Sequence, residues 1–348
     1  MSGQDESDSL ENKTIITGGA GFIGSHLAER LLDRGHRLVL VDNLSTGRRS
    51  NIEKLLGDRC ELVEASAADA LRDPATMQGV TRVFHLAAAV GVKLVVDDPA
   101  AMIRNNIDET DVVLRAAADA GASVLITSSS EVYGKCPVLP LREDMELVYG
   151  PTTASRWSYG LSKALDEHLA IDLARRTGLR SVVVRLFNTV GPRQVGRYGM
   201  VVPRFVAQAV AGQDLTLYGD GQQTRAFCDV RDVVRALSEL IDQTDAYGRV
   251  FNIGSTTQIT IEQLADRVIE QVAEAGGPRV GKSFVPYEAV YGEGFEDPPH
   301  RLPDMSRLRE AIGFEPRIEL PQTLRELIAA EQGRIRLGSS SSAAEAGR

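Results

Sequence analysis

Cysteine is scarce: Cys60, Cys136 and Cys228 are the only three in 348 residues, with no C-x-x-C pair and no histidine cluster near them. This excludes a disulfide framework and a structural zinc site, and no metal centre is expected. Basic charge is also short, with 39 Lys and Arg against 48 Asp and Glu and a net charge of −9. That balance disfavours nonspecific binding to nucleic acid or to an anionic membrane, although local arginines can still hold an anionic small molecule. Long apolar runs are missing as well: "VFHLAAAVGV" falls well short of the roughly 20 residues a bilayer span needs. The opening "MSGQDESDSLENK" is acidic and polar, unlike a secretory or transit signal, so a cytoplasmic protein is expected.

What remains is an ordinary globular composition, long enough for one large α/β unit or for two domains sharing a cleft. From Lys13 to about Arg185, the apolar runs "KTIITG", "RLVLVDN", "CELVEA", "RVFHLAA", "SVLITSS" and "SVVVRLFN" read as strands. Helix-period segments such as "GSHLAERLLDRG" and "NIDETDVVLRAAADAG" lie between most of them. Apolar strands alternating with helices predict a doubly wound parallel sheet, the Rossmann architecture, covered on both faces. Past "FNTVGPRQ" the rhythm loosens into helices, the short strands "LTLYG" and "RVFNIG", and Pro/Gly-rich loops. The expected division is therefore a disordered tail over 1–12, a dinucleotide-binding domain over 13–190, a smaller α/β substrate domain over 191–335, and a disordered, low-complexity tail over 336–348.

The most specific stretch is "TIITGGAGFIGSHLAERLLDRGHRLVLVDN". Gly18, Gly21 and Gly24 fall between a strand and a helix, where a tight turn, a close pyrophosphate and close helix packing each exclude a side chain. The helix N-terminus then faces the phosphates. The next strand ends in Asp42, an acid placed to accept the adenosine ribose hydroxyls and to repel a 2′-phosphate. NAD is the expected cofactor; Arg48 and Arg49, just beyond, are the residues that argue for NADP.

Further on, "YGLSK" sets Tyr159 and Lys163 on one face of a helix. A free tyrosine has a pKa near 10, and lowering it by about 3 units takes roughly 4 kcal/mol, which one cation at about 4 Å supplies. Lys163 is expected to be that cation for Tyr159. In "TSSSEVYG" the serines stand just past a strand's C-terminal end, where open α/β sheets bind ligands, and Ser129 is the hydroxyl placed to hold the oxygen that Tyr159 deprotonates.

Taken together, "TGGAGFIGSHL", "DNLSTG", "HLAA", "SSSEVYG", "YGLSK", "FNTVGPRQ", "YGDGQQTRAF" and "RLPD" resemble the extended short-chain dehydrogenase/reductases that modify nucleotide sugars, over residues 13 to about 330. That group includes UDP-glucose and UDP-glucuronate 4-epimerases, UDP-glucuronate decarboxylases and dTDP-glucose dehydratases. The resemblance implies that Tyr159 takes the O4 proton while carbon 4 gives a hydride to NAD, leaving a 4-keto sugar. It also implies a homodimer built on helices around residues 104–120 and 160–177, the second carrying Leu161, Leu165, Leu169 and Leu173. Phe22, Ile23, Asn43, Leu86, Ala87, Ala88 and Asn106 join the expected cofactor contacts. Asn188, Arg225 and Arg301 match positions that hold a UDP diphosphate, and Ser130 and Tyr218 complete the expected sugar-nucleotide contacts. One departure stands out: in "ASAAD", Ser66 occupies the place of an acid near the adenine.

Glu131 decides which reaction is expected. An acid after the serines resembles the decarboxylases, while Ser130 in place of the dehydratase aspartate argues against loss of water. Oxidising carbon 4 of a uronic acid gives a β-keto acid, so an epimerase must clamp the carboxylate near the carbonyl plane and a decarboxylase must do the reverse. Arg193 and Arg197, in "GPRQVGRYGMVVP", are candidate clamps, with Arg197 favoured for its glycine neighbours. The favoured expectation is a UDP-glucuronate 4-epimerase giving UDP-galacturonate. A UDP-glucuronate decarboxylase giving UDP-xylose and a UDP-glucose 4-epimerase are the alternatives, and retention of Tyr159 and Lys163 argues against a catalytically silent NAD-binding protein.

Overall fold

The structure is a computed structural model, and it describes residues 13–89, 98–196, 200–291 and 298–345. Its strands are β1 (Lys13–Thr17), β2 (Arg37–Val41), β3 (Cys60–Val63), β4 (Val80–His85), β5 (Ser123–Ser129), β6 (Ser181–Leu186), β7 (Thr189–Val190), β8 (Leu215–Tyr218), β9 (Thr224–Ala226), β10 (Cys228–Asp229), β11 (Arg249–Ile253), β12 (Gln258–Thr260) and β13 (Lys282–Val285). The helices are α1 (Phe22–Asp33), α2 (Ala67–Arg72), α3 (Pro99–Asp119), α4 (Ser158–Thr177), α5 (Val201–Val210), α6 (Val230–Leu240), α7 (Ile261–Glu274), α8 (Tyr287–Tyr291), α9 (Ser306–Ile312) and α10 (Leu320–Glu345). A seven-stranded parallel sheet runs in the order β11-β6-β5-β4-β1-β2-β3. Strand order reverses between β1 and β4, and at such a switch point the strand ends diverge into a ligand crevice.

Local chemistry sets the helix ends. Asp98 caps α3 by accepting the Ala101 N–H, with Pro99 in the first turn. Thr260 and Gln263 form a reciprocal capping box at the start of α7, and α4 stops at Gly178 in the left-handed region. One sheet face is buried by α1 and α6 through Leu27, Leu31, Val233 and Leu237. The other is covered by α2, α3 and α4 through Leu71, Val113, Leu114 and Ala170.

The single cut expected at 190/191 is not where the chain divides. "RVFNIG", assigned from the sequence to the second domain, is β11, which pairs with β6 at the edge of the large sheet, and α6 packs on α1. The reason is burial: Phe251 and Ile253 are fully enclosed, which a small two-stranded sheet cannot provide. The second unit is built from α5, α7 and α10 with the pairs β8–β13 and β9–β12, around Phe205, Leu264, Val268 and Leu324. The chain end also departs from expectation. Helix α10 continues to Glu345 through the serine run read as disordered, because serine lowers helix propensity only modestly and the helix is already nucleated upstream. The expected N-terminal tail lies outside the described residues. Of the leucine stripe on α4, Leu165 is exposed, while Leu169 and Leu173 are half-buried against the sheet cluster.

One buried ion pair fixes α4 to the sheet. Glu167 accepts Arg185 Nε at 2.9 Å, Arg185 Nη2 at 2.7 Å and Ser128 Oγ at 2.5 Å. Removing one partner of a buried pair strands the other, so Glu167→Ala should lower unfolding free energy by about 3–5 kcal/mol, read by chemical denaturation. A loss below about 1 kcal/mol would mean that Arg185 finds water or another acceptor.

Candidate active site

A cavity of about 1230 Å³ opens at the C-terminal ends of the strands and reaches into the second unit. Single-ligand pockets run to about 300–1,000 Å³, so this one has room for two molecules end to end. Its first end is the glycine turn. A side chain on Gly24 would stand 2.1 Å from the Gly18 carbonyl oxygen, so the helix start can lie this close to the turn only with glycine there. The N-terminus of α1 accordingly opens at the cavity, lined by Gly21, Phe22 and Ile23, as a phosphate site requires. Asp42, at the tip of β2, accepts the Ala20 N–H at 2.9 Å and the Leu44 N–H at 2.8 Å. Burial raises its pKa while these backbone donors and Gly21 oppose the rise. Asn43, Leu86, Ala87 and Ala88 line the same end, whereas Arg48 and Arg49 are exposed and outside the lining. The residues therefore fit NAD, with an acid where NADP would carry a phosphate.

Ser129 and Tyr159 line the middle of the cavity. Ser129 ends β5 and caps the single turn Ser130–Tyr133, its Oγ accepting the Glu131 N–H at 3.2 Å. That turn sits directly on α4, because a side chain on Gly160 would meet the Glu131 carbonyl at 2.5 Å. Gly160 thus brings the serine turn beside Tyr159.

Lys163 departs from expectation. It is buried outside the cavity lining, and its Nζ donates to Asp166 Oδ2 at 2.7 Å. With its charge compensated there, the phenol of Tyr159 is pushed up, by burial first and then by the negative charges of Glu131 and Asp166. Asp166, one helical turn on, is an acid that the Tyr-x-x-x-Lys spacing by itself does not announce. Asn106 is likewise a support and not part of the lining: its side chain accepts the Ala89 N–H at 2.8 Å and donates to Ser162 Oγ at 3.2 Å, holding the "HLAA" strand end against α4. Beneath it, His85 bonds Thr17 Oγ1 at 2.8 Å and Thr110 Oγ1 at 3.2 Å. Burial, with the charge of Lys163 adding, lowers its pKa to about 3, so the ring is neutral.

Glu131 is gripped by two arginines. Its Oε2 accepts Arg156 Nη1 at 2.7 Å, and its Oε1 accepts Arg301 Nη1. Burial works to raise its pKa, but Arg301 and then Arg156, by charge and hydrogen bond, hold the carboxyl far below the usual carboxylate range. Arg156 lies two residues before α4 and was not picked out from the sequence; the acid's need for a counter-charge is the signal that points to it. Ser130, Asn188, Tyr218 and Arg225 line the cavity beyond, and the Arg204 guanidinium stacks 4.0 Å from the Tyr218 ring centre. Arg193 also lines the cavity; its Nη2 is ion-paired to Glu29 of α1, and its buried Nη1 has no hydrogen-bond partner among the described residues. Arg197 lies outside the described residues.

A glycine turn opening a helix, an acid at the tip of β2 and a serine–tyrosine pair, all on one cavity at the strands' C-terminal ends, fit a dinucleotide-dependent enzyme. The family model "NAD dependent epimerase/dehydratase family" matches residues 14–254, and the chain belongs to that family, with NAD as its cofactor. Among curated proteins, it is 40% identical over 320 residues to a UDP-N-acetyl-alpha-D-glucosaminuronate decarboxylase of Bacillus cytotoxicus, covering 92% of this chain and 97% of the relative. It is 34% identical to UDP-glucuronic acid decarboxylase 1 of Arabidopsis thaliana, over 93% of this chain and 70% of that one. Among solved structures, the UDP-glucuronic acid 4-epimerase of Bacillus cereus, in complex with UDP-glucuronic acid and NAD, superposes with a TM-score of 0.80 at 27% identity, covering 92% of this chain and 99% of the other.

Proposed function

We propose that the protein is an NAD-dependent decarboxylase of a UDP-linked hexuronic acid, either UDP-glucuronate or its 2-acetamido counterpart. The observation that carries this reading is Glu131, an ionised carboxylate held by Arg156 and Arg301 beside Ser129 and Tyr159 in the cavity. Bound NAD supplies reversible removal and return of the hydride at carbon 4. Tyr159 takes and later returns the O4 proton, and Ser129 donates to the same oxygen. For this, Lys163 Nζ turns from Asp166 towards the phenol and lowers its pKa. Once carbon 4 is a ketone, the carboxylate at carbon 5 is part of a β-keto acid. Glu131 engages Arg156 and Arg301 and so keeps their charge from stabilising that anion, and its loss as neutral carbon dioxide breaks no ion pair. The C5–C6 bond breaks, its electron pair passes into the enolate, and the O4 anion is held by the Ser129 and Tyr159 hydroxyls. Protonation at carbon 5 then gives the 4-keto pentose, and return of the hydride to carbon 4 and of the Tyr159 proton to O4 completes the UDP-pentose. Arg225 and Arg301 suit the UDP diphosphate, and Arg301 also fixes Glu131.

The sequence-based preference for epimerisation remains the second reading, since a solved 4-epimerase with UDP-glucuronic acid shares the fold. It requires a clamp for the carboxylate; of the two candidates, Arg193 shares its Nη2 with Glu29 and Arg197 lies outside the described residues. Incubation of the protein and NAD with each of the two UDP-uronates, followed by mass analysis of the sugar nucleotide, separates the readings. Loss of carbon dioxide is expected. A new isomer of unchanged mass would replace the proposal with the epimerase, and turnover of UDP-glucose alone would remove uronates from the account.

A further inference from the structure

Three carboxylates line the cavity among the described residues: Asp42, Glu109 and Glu131. Two of them have roles above; Glu109, on α3, has none. Its place follows from the order of parts along the dinucleotide. The pyrophosphate belongs at the start of α1 and the adenosine ribose at Asp42 on the tip of β2, so the base continues outward, past the end of β3, to where α2 begins. Ser66 and Ala67, at that junction, line the cavity together with Glu109. Ser66 Oγ is engaged in capping α2, accepting the Asp69 N–H at 3.0 Å, and Glu109 Oε2 accepts the next free donor of that helix, the Ala68 N–H, at 3.1 Å. Glu109 is half-buried in this corner, and burial raises its pKa against the opposing pull of the Ala68 and Ala67 amides.

We propose that Glu109 is the base-reading residue of the cofactor site, its carboxylate accepting the exocyclic amine of the adenine ring. The amine is the only hydrogen-bond donor on the edge of adenine, and a carboxylate offers acceptor sites alone. Asp42 is occupied by two backbone amides and the ribose, and Glu131 by two arginines at the other end of the cavity. Glu109 also accepts from the Ala68 and Ala67 amides and Ser66, but a carboxylate offers about four acceptor sites, so one remains for the amine, and its bond to Ala68 fixes where the carboxylate stands.

The inference rests on NAD binding with its adenosine over Asp42. The test is calorimetric titration of the full chain with NAD and with nicotinamide hypoxanthine dinucleotide, in which a carbonyl oxygen replaces the amine. Wild type should favour NAD by about 10-fold or more, the usual worth of a hydrogen bond to a charged group. In Glu109→Gln the amide oxygen can still accept the Ala68 N–H and keep the cap, while its NH₂ can serve a carbonyl, so the preference should shrink to within about 3-fold. An equal preference in both proteins overturns the proposal and leaves Glu109 a helix cap, as does a melting temperature that falls while the ratio stays fixed. Wild type that binds neither dinucleotide overturns it together with the cofactor's placement.

Discussion

Tyr159→Phe should lower turnover of the UDP-sugar substrate by about 10³-fold or more while NAD affinity stays within a few-fold of wild type. The change removes one oxygen from a ring on α4 and leaves the glycine turn, Asp42 and the Glu167–Arg185 anchor untouched. The loss should therefore fall on proton transfer and not on folding or cofactor capture. The phenol's environment also sets the pH dependence. Burial, Glu131 and Asp166 all favour its protonated form, so the rate of O4 deprotonation should climb as pH rises from neutrality. Phenylalanine should abolish that climb, leaving a low and pH-independent residue of activity. Steady-state product assays between about pH 6 and 9, with calorimetry for NAD, check both points. Activity retained within about tenfold would mean that another group takes the proton.

The parts of the fold that sequence made legible are those whose signal is local. β1 to β6 announce themselves as apolar runs, and the glycine turn, Asp42, Ser129 and Tyr159 sit in stretches whose residue types already restrict the backbone. β11 carries the same kind of apolar run, yet its partner β6 lies more than sixty residues away in sequence, and nothing within "RVFNIG" says which sheet will bury it. Helix α10 fails for the complementary reason: a serine run reads as disorder when judged alone, but as an extension when a helix already precedes it. In the site, the residues overlooked are partners. Arg156 is legible only through Glu131, Asp166 only through Lys163, and Glu109 only through the α2 amides that it meets across two elements. Motifs name the groups that do chemistry, whereas the charges that tune those groups are selected by distance in three dimensions.

Glu131 is where tuning and chemistry coincide, and Glu131→Gln should separate them. Glutamine keeps the shape and an acceptor oxygen but removes the carboxylate charge that Arg156 and Arg301 share. Two guanidinium groups no longer neutralised by the acid would then attract the substrate carboxylate and hold it against departure. Carbon dioxide release should fall by about 10²-fold in kcat, while KM stays level or drops, the pattern of a ground state newly stabilised. Stability supplies an independent check with a definite sign. The folded-state pKa of Glu131 lies below its unfolded value, so its contribution is fully present above the ordinary glutamate range near 4.3 and drains away as pH falls below it. At pH 7 the variant should be less stable than wild type by about 3 kcal/mol, the cost of removing one partner of a buried ion pair. Denaturation midpoints taken from pH 7 down to about pH 3 should draw closer below the ordinary glutamate range, as the unfolded chain takes up a proton that the folded ion pairs refuse. Parallel curves would show that the acid is not ionised against the arginines. Undiminished carbon dioxide release would show that its charge does not drive the bond cleavage, and the decarboxylase reading would then have to rest on Ser129 and Tyr159 alone.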